Sequence, residues 1–331
     1  MIGGGIAGVS LLWQLELRRI STVLVERHHI AWGASGRNAG FLLAGVASSY
    51  AEAVRTYGRE KAREVWEITN ENHDRMLEAT RGQDVRHRRL GTAILPGDVR
   101  ERALLIESEQ LLNEDGFEAR WDGEKLINPR DGECDPAALV GALARQARPG
   151  AIREGASVTS VSPRRSDVVV RAGDEACEAG VVILATNAYT TALAPSVKIQ
   201  PTRAQMLATA PEARALIDMP VYSQYGFRYW RQLSTGEVLV GGWRDTSPET
   251  EKTDDAEPTE EIQRHLEGAA RDLGARGEIT HRWAGTMGFT ESGLPFAGPL
   301  EGMPNVYLCA GFTGHGMGFA FMTAKKVAEM I

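Results

Sequence analysis

A chain of 331 residues is long for one compact core, and two intimately packed domains are the natural expectation. Hydrophobic residues at 43% and charged residues at 24% exclude a disordered chain, and a net charge of -7 argues against a phosphate backbone as partner. The one dense basic run, Arg86-His87-Arg88-Arg89, is short and reads as a solvated edge.

Cys134, Cys177 and Cys309 are too few and too scattered for a disulfide framework and fit a reducing, cytoplasmic setting. The glycine-rich start lacks the basic-then-apolar pattern of a secretory leader. The longest apolar stretch, Ala39–Ala47, falls far short of a membrane span.

In chain order, Ile6, Val9, Trp13, Leu17 and Ile20 recur at steps of three and four and predict a helix over Ile6–Ile20. Thr22–Glu26 reads as a buried parallel strand. A long helix is expected over about Ser49–Thr80, opened by a capping box of Ser49 with Glu52. A strand at Gly91–Leu95 and a helix near 98–115 follow. Asp135-Pro136 marks a helix start, with the helix running to about Arg148. Strands are expected around Ser157–Val161, Val168–Arg171 and Val181–Ala185.

From about 196 to 283 the strands lengthen and alternate in character, with one helix near 259–273. Tyr225–Arg231 and Glu237–Arg244 read as an antiparallel pair joined at Ser234-Thr235-Gly236. Alternation puts Tyr225, Phe227, Tyr229 and Arg231 on one face, and Gly226, Arg228 and Trp230 on the other. Val306–Ala310 is a strand, and a final helix runs to Ile331.

Gly3-Gly4-Gly5-Ile6-Ala7-Gly8 matches G-x-G-x-x-G and opens directly into the first helix. Gly3 allows the tight turn, Gly5 lets the backbone approach a pyrophosphate, and Gly8 lets the helix pack closely on a sheet. The helix N-terminus then presents free N–H groups to the phosphates. Glu26 ends the next strand near the spacing expected for an acid that accepts from ribose hydroxyls, which disfavours a 2′-phosphate. The bland reading is a glycine turn beside an unrelated surface glutamate. Only Met1 and Ile2 precede the glycines, so the central strand reads as cut short, its hydrogen bonding missing or supplied by a substitute.

Three further blocks occur in order: Gly33-Ala34-Ser35-Gly36-Arg37-Asn38-Ala39-Gly40-Phe41, Leu184-Ala185-Thr186-Asn187-Ala188-Tyr189, and Ala310-Gly311-Phe312-Thr313-Gly314-His315-Gly316-Met317. With the opening motif they span nearly the whole chain. As a set they resemble the D-amino acid oxidase, glycine oxidase and sarcosine oxidase family of flavoenzymes. The Ala34–Gly40 run is similar to that of the γ-glutamylputrescine oxidase-like members.

The resemblance implies an α/β fold: a Rossmann-like FAD-binding domain carrying an inserted, mostly antiparallel-sheet substrate domain. The first is expected over 1–86, 135–195 and 284–331, the second over 87–134 and 196–283. It implies an FAD site at Gly3, Gly5, Ile6, Ala7, Gly8, Glu26, Arg27, Ala34, Ser35, Arg37, Asn38, Ala39 and Gly40. Later in the chain that site would draw on Val158, Thr186, Gly285, Gly311, Gly314, His315, Gly316 and Met317. Ser35, Arg37 and Asn38 would supply donors, Val158 would meet the adenine through its backbone, and the Gly311–Met317 loop would offer N–H groups to the flavin.

The implied reaction is hydride transfer from the carbon bearing the nitrogen of a small amine or amino acid, with oxygen or another acceptor taking the electrons. The flavin is expected to be non-covalent, since Arg282-Trp283-Ala284-Gly285-Thr286-Met287 lacks the cysteine that sarcosine oxidases carry ahead of the late glycine loop. Met287 stands where glycine oxidase-like members carry a carboxylate-binding arginine, leaving Arg228 or Arg244 as alternatives. Tyr225, Tyr229 and Trp230 are further substrate-pocket candidates, and they serve equally as plain core. His315 either acts on the reaction or only shapes its loop. No metal site is expected, since His28-His29 lacks carboxylate or thiol partners. Open alternatives are a dehydrogenase using a quinone or carrier, a plain NAD-dependent dehydrogenase, and a non-catalytic flavin-binding subunit.

Overall fold

The computed structural model describes residues 1–331. At the opening, Ile2 occupies the central strand position as a bridge of one residue: the Ile2 N–H donates to Ile183 O and the Gly3 N–H to Val25 O, both at 2.9 Å. The Ile2 and Met1 carbonyls accept from Ala185 and Val25 in turn. Ile2 therefore joins two parallel pairs, Leu24–Val25 with Ile152–Arg153 and Val182–Leu184 with Val306–Ala310. Phe296–Pro299 closes one edge of this sheet in antiparallel sense.

Helices cover that small sheet. The first runs Ile6–Leu17, shorter than its apolar periodicity. Arg19 adopts a left-handed φ of 59°, and Ile20 folds its N–H back onto Leu15 O. The stretch expected as one helix over Ser49–Thr80 is two, Tyr50–Tyr57 and Arg59–Ala79. Gly58 separates them at φ 84°, a conformation that costs glycine little. The capping box of Ser49 with Glu52 is present. Asp135 caps Pro136–Ala144, which ends short of Arg148. The final helix, Gly316–Ala328, packs on the first, with Trp13 and Phe321 ring centroids 5.2 Å apart.

The second sheet has eight strands. In spatial order they are Ile279–Phe289, Gln200–Thr209, Val238–Gly242, Arg228–Gln232, Val221–Ser223, Thr92–Leu95, Leu126–Asn128 and Arg120–Trp121. Every pairing is antiparallel except that of Val221–Ser223 with Thr92–Leu95. The chain expected as one strand from Tyr225 instead turns at Gln224 and Tyr225, both at positive φ, and enters the sheet only at Arg228. The boundary expected between 283 and 284 falls inside Ile279–Phe289, whose later residues still pair with Gln200–Ala204.

One face of this sheet is sealed by the helix Glu260–Asp272, where Ile262 and Leu266 pack on Leu207, Val238, Val240 and Trp230. The opposite face looks toward the glycine motifs. Register sets a row of side chains across it: Ile94, Tyr222, Tyr229, Gly241 and Met206 are successive cross-strand partners. No helix is long and apolar enough to cross a membrane.

Candidate functional site

A continuous cleft runs from the opening glycines, past Ser35 and His315, to the row of Tyr222 and Tyr229. At its first end the glycines are required by contact. A Cβ on Gly3, at φ 108°, would lie 2.7 Å from Ala185 O, and one on Gly8 would overlap the Gly3 carbonyl oxygen. The N-cap residue Gly5 has no side chain to cap the helix Ile6–Leu17 and the first turn holds no acid, so beyond the Ile6 N–H its positive end stays open to an anion. Glu26 braces the turn: its carboxylate accepts the Gly4 N–H at 2.7 Å and the His28 N–H at 2.8 Å. Arg27 lies over the Tyr189 ring at 4.1 Å, and Val158 opens the strand Val158–Pro163 at the cleft wall.

The middle of the cleft is built by Ala34–Arg37, a short helix, and by the loop Gly311–His315. Ser35 Oγ accepts the Ile6 N–H at 2.9 Å, leaving its own hydroxyl proton to donate. Asn38, expected as a donor to the ligand, instead turns its amide back on Ala34 O and Ser35 O and accepts the Gly40 N–H. Arg37 donates to Ala284 O at 2.9 Å, and the Trp283 indole N–H returns a bond to Arg37 O at 2.8 Å. Gly285 makes that approach possible, since a Cβ there would press on Arg37 Cβ at 3.3 Å.

Asn187, itself at φ 44°, accepts the N–H groups of Gly311 and Phe312, and the Thr313 N–H donates to Gly288 O at 2.8 Å. Buried Asn72 does the same service one turn on: its amide donates to Met317 O and its oxygen accepts from Phe321 and Met322. Together they fix the N-terminus of Gly316–Ala328 at the cleft, with Met287 Sδ packed beside Gly314.

At the far end His315 lies nearly parallel to Tyr222, ring centroids 6.4 Å apart. Burial lowers its imidazole to about 4, so the ring is neutral near pH 7. Tyr222, Tyr229 and Phe41 meet edge to face, and burial pushes the Tyr229 phenol up to about 12. Arg244 lies between Phe227, 4.3 Å from its ring centroid, and Phe289, 5.6 Å away. Burial lowers its pKa, and no carboxylate pairs with it. The neighbouring acid, Asp245, is taken by Arg228, which also lies over Trp243.

Most of the expected residues meet in this one cleft. Gly8, Gly40, Gly311, Arg228 and Trp230 do not line it. Gly8 faces Gly3, Gly40 is pressed against Cys134 O and Arg231, and Gly311 against Thr290. Arg228 pairs with Asp245, and Trp230 packs under the helix Glu260–Asp272. Tyr225 reaches the cleft from a turn, its hydroxyl 3.0 Å from Asp98. The sequence reading missed Tyr222, Thr92 and Asp131, all on the cleft wall. Alternation over Val221–Ser223 is too short to announce a strand, and Asp131 reads as an ordinary turn acid.

The glycine cradle, the open helix end and Glu26 fit a dinucleotide, and the clamped late loop supplies a second wall along the same cleft. A family model described as "FAD dependent oxidoreductase" matches residues 1–330, and the chain belongs to this family. It is an FAD-dependent oxidoreductase with the α/β fold its motifs resemble. Among curated relatives it is similar to "Probable oxidoreductase OrdL" of Haemophilus influenzae, 24% identical over 363 residues, covering 100% of this chain and 82% of the relative. It is also similar to "Gamma-glutamylputrescine oxidoreductase" of Escherichia coli, 24% identical over 359 residues with the same two coverages, 100% and 82%. Among solved structures, glycine oxidase from Geobacillus kaustophilus matches with a TM-score of 0.80 at 21% identity, covering 99% of this chain and 92% of that one. Iminodiacetate oxidase from Chelativorans matches with a TM-score of 0.77 at 16% identity, over 99% and 93%.

Proposed function

We propose that this enzyme oxidises the C–N bond of a small amino acid or N-substituted amino acid whose carboxylate is held by Arg244. The observation that carries this reading is the guanidinium itself: it lies between Phe227 and Phe289 at the cleft wall, beside Tyr222 and Tyr229, with no acid of the protein engaging it. A desolvated, unpaired guanidinium favours a carboxylate strongly, because that ligand supplies the missing counter-charge and a bidentate acceptor. The place left by Met287 is thus answered from the short helical turn Arg244–Thr246, just beyond the strand Val238–Gly242. The relatives "Gamma-glutamylputrescine oxidoreductase" and "4-methylaminobutanoate oxidase (formaldehyde-forming)" bear names of amine-containing acids, which supports this class.

FAD, when bound, accepts a hydride from the carbon bearing the nitrogen, leaving an imine that water hydrolyses. Gly3, Gly5, Ile6, Ala7, Glu26, Arg27, Ser35, Val158 and Thr186 would hold its nucleotide half, with the Gly314–Met317 loop and Gly285 along the ring. Neutral His315 orders Tyr222 and excludes water from the sheet side, and the aromatic row confines the substrate chain. Cys134, Cys177 and Cys309 all stand off the cleft wall, which supports a non-covalent flavin, and all three are free thiols, in keeping with a reducing cytoplasm.

Anaerobic addition of matched pairs, such as alanine with ethylamine and sarcosine with dimethylamine, to the FAD-loaded protein tests the proposal. Bleaching of the flavin by the acid but not by its carboxylate-free partner is the expected result. Equal bleaching by both would remove Arg244 from substrate binding, and no bleaching by any amine would favour a non-catalytic flavin subunit. Readmitted oxygen then separates an oxidase from a dehydrogenase.

A further inference from the structure

We infer that Asp131, held by Thr92 on the sheet face that carries Tyr222, is an ammonium-binding residue of the substrate pocket; this rests on the amino-acid reading above and narrows it. Asp131 lines the cleft in the turn after Leu126–Asn128 and is 3% exposed. One carboxylate oxygen accepts the Ala44 N–H at 3.0 Å, the other the Thr92 hydroxyl at 2.6 Å. No lysine, arginine or histidine pairs with it, and Arg89, the basic group acting on it from a distance, is engaged by Asp74 at 3.0 Å.

A buried carboxylate without a counter-ion is expensive, and a merely structural turn would be served at lower cost by asparagine, accepting from Ala44 and donating to the Thr92 hydroxyl. Each oxygen keeps acceptor capacity beyond the bond it makes. Burial raises the carboxyl to about 7, as expected of an acid that lacks its cation.

Position makes the cation a substrate group. Thr92 and Ile94 project from one face of their strand, and Ile94 is the cross-strand partner of Tyr222. Asp131 thus stands about 5–10 Å from the Tyr222 ring, given strand spacing near 4.8 Å. Arg244 follows Val238–Gly242, which lies on the far side of Val221–Ser223 from Thr92–Leu95 in the sheet, so the two charges flank Tyr222: burial raises the phenol, Asp131 adds to the rise and Arg244 opposes it. The pocket is therefore bipolar across Tyr222, cation on one side and anion on the other. It suits a molecule with a carboxylate at one arm and a protonated nitrogen at the other. That nitrogen is either the one whose bond is oxidised or a second ammonium further along the chain.

Pentanoate, norvaline and ornithine share one carbon skeleton and carry no, one and two nitrogens, which separates the two sources. Binding is read as a rise in Tm of the FAD-loaded protein, kept reduced by dithionite so that no turnover occurs. Norvaline or ornithine is expected to bind at least ~10-fold tighter than pentanoate, a difference of about 1.4 kcal/mol. Asp131→Asn should bring that ratio within about threefold while pentanoate affinity stays unchanged, the latter showing an intact pocket. Loss for both amino acids assigns the reacting nitrogen to Asp131, and loss for ornithine alone assigns the second. A ratio that survives in Asp131→Asn, or pentanoate binding the native protein as tightly as both amino acids, overturns the inference. A failure of the oxidation reading shows separately, as absence of bleaching in the oxidised protein.

Discussion

Asn187 Oδ1 accepts the Gly311 N–H at 2.9 Å and the Phe312 N–H at 3.3 Å, joining two of the sequence blocks that lie far apart in the chain. The bond holds the late loop in one conformation, with Gly311 and Gly314 at positive φ. Asn187→Ala leaves two backbone donors without this acceptor, at a cost of ~1–3 kcal/mol. FAD affinity should fall about tenfold or more, read by quenching of flavin fluorescence during titration of the apoprotein. Unchanged affinity would mean the loop is held by Gly288 and Thr290 alone.

Gly8→Ala tests the opening motif by steric contact. The added methyl overlaps the Gly3 carbonyl, so the turn or the helix start must move. Overpacking of this kind costs ~1–3 kcal/mol. Urea denaturation should show the loss in the apoprotein, before any cofactor enters the argument.

Arg244→Met keeps the apolar stem between Phe227 and Phe289 and removes the charge. KM for a carboxylate-bearing substrate should rise about 10- to 100-fold, the range for a hydrogen bond to a charged group, with kcat changed far less. Carboxylate-free amines should be unaffected. A fall in kcat with KM unmoved would place Arg244 in the chemistry instead.

Acid stability should follow His315 and His73, both lowered by burial to about 4. Their unfolded values lie higher, near 6.5, so the unfolded chain binds more protons between the two values. Their contribution is complete above pH 6.5 and is lost as the pH falls toward 4. Asp131, raised to about 7, acts in the opposite sense: its contribution is lost as the pH climbs from about 4 through 7. Scans of Tm against pH should therefore show a falling acid limb. Asp131→Asn should melt higher than the native protein at pH 8, with the gap narrowing as the pH falls toward 4.

Much of this was legible because glycine leaves a mark in sequence when contact demands it. Gly3, Gly5 and Gly8, then Glu26, occur in an order that few folds require, and the structure gives each a neighbour that explains it. The capping box at Ser49 and the Asp135 cap were equally readable, since both are local. What escaped was the choice of partner, near or far, that each polar side chain makes. Asn38 reads as a ligand donor because its amide is polar, yet it closes its own helix turn. Asn72 lies within an amphipathic helix and looks like any helical asparagine, while its partners Met317 and Phe321 come from the other end of the chain. Which face of Arg228–Gln232 sees the cleft depends on where Glu260–Asp272 packs, and alternation alone leaves both faces open.

The parallel pairing of Thr92–Leu95 with Val221–Ser223 joins segments more than a hundred residues apart, with the strands Ile152–Arg153 and Val182–Leu184 of the first sheet between them. Closing so long a loop carries its entropic cost before the contact returns anything, so this strand pair belongs to the late events of folding. On the ribosome, Thr92, Ile94 and the turn after them emerge long before Tyr222 can cover them. The pocket wall is thus completed late, and the half-made sheet, with an uncovered strand edge, exposes a newly synthesised chain to aggregation.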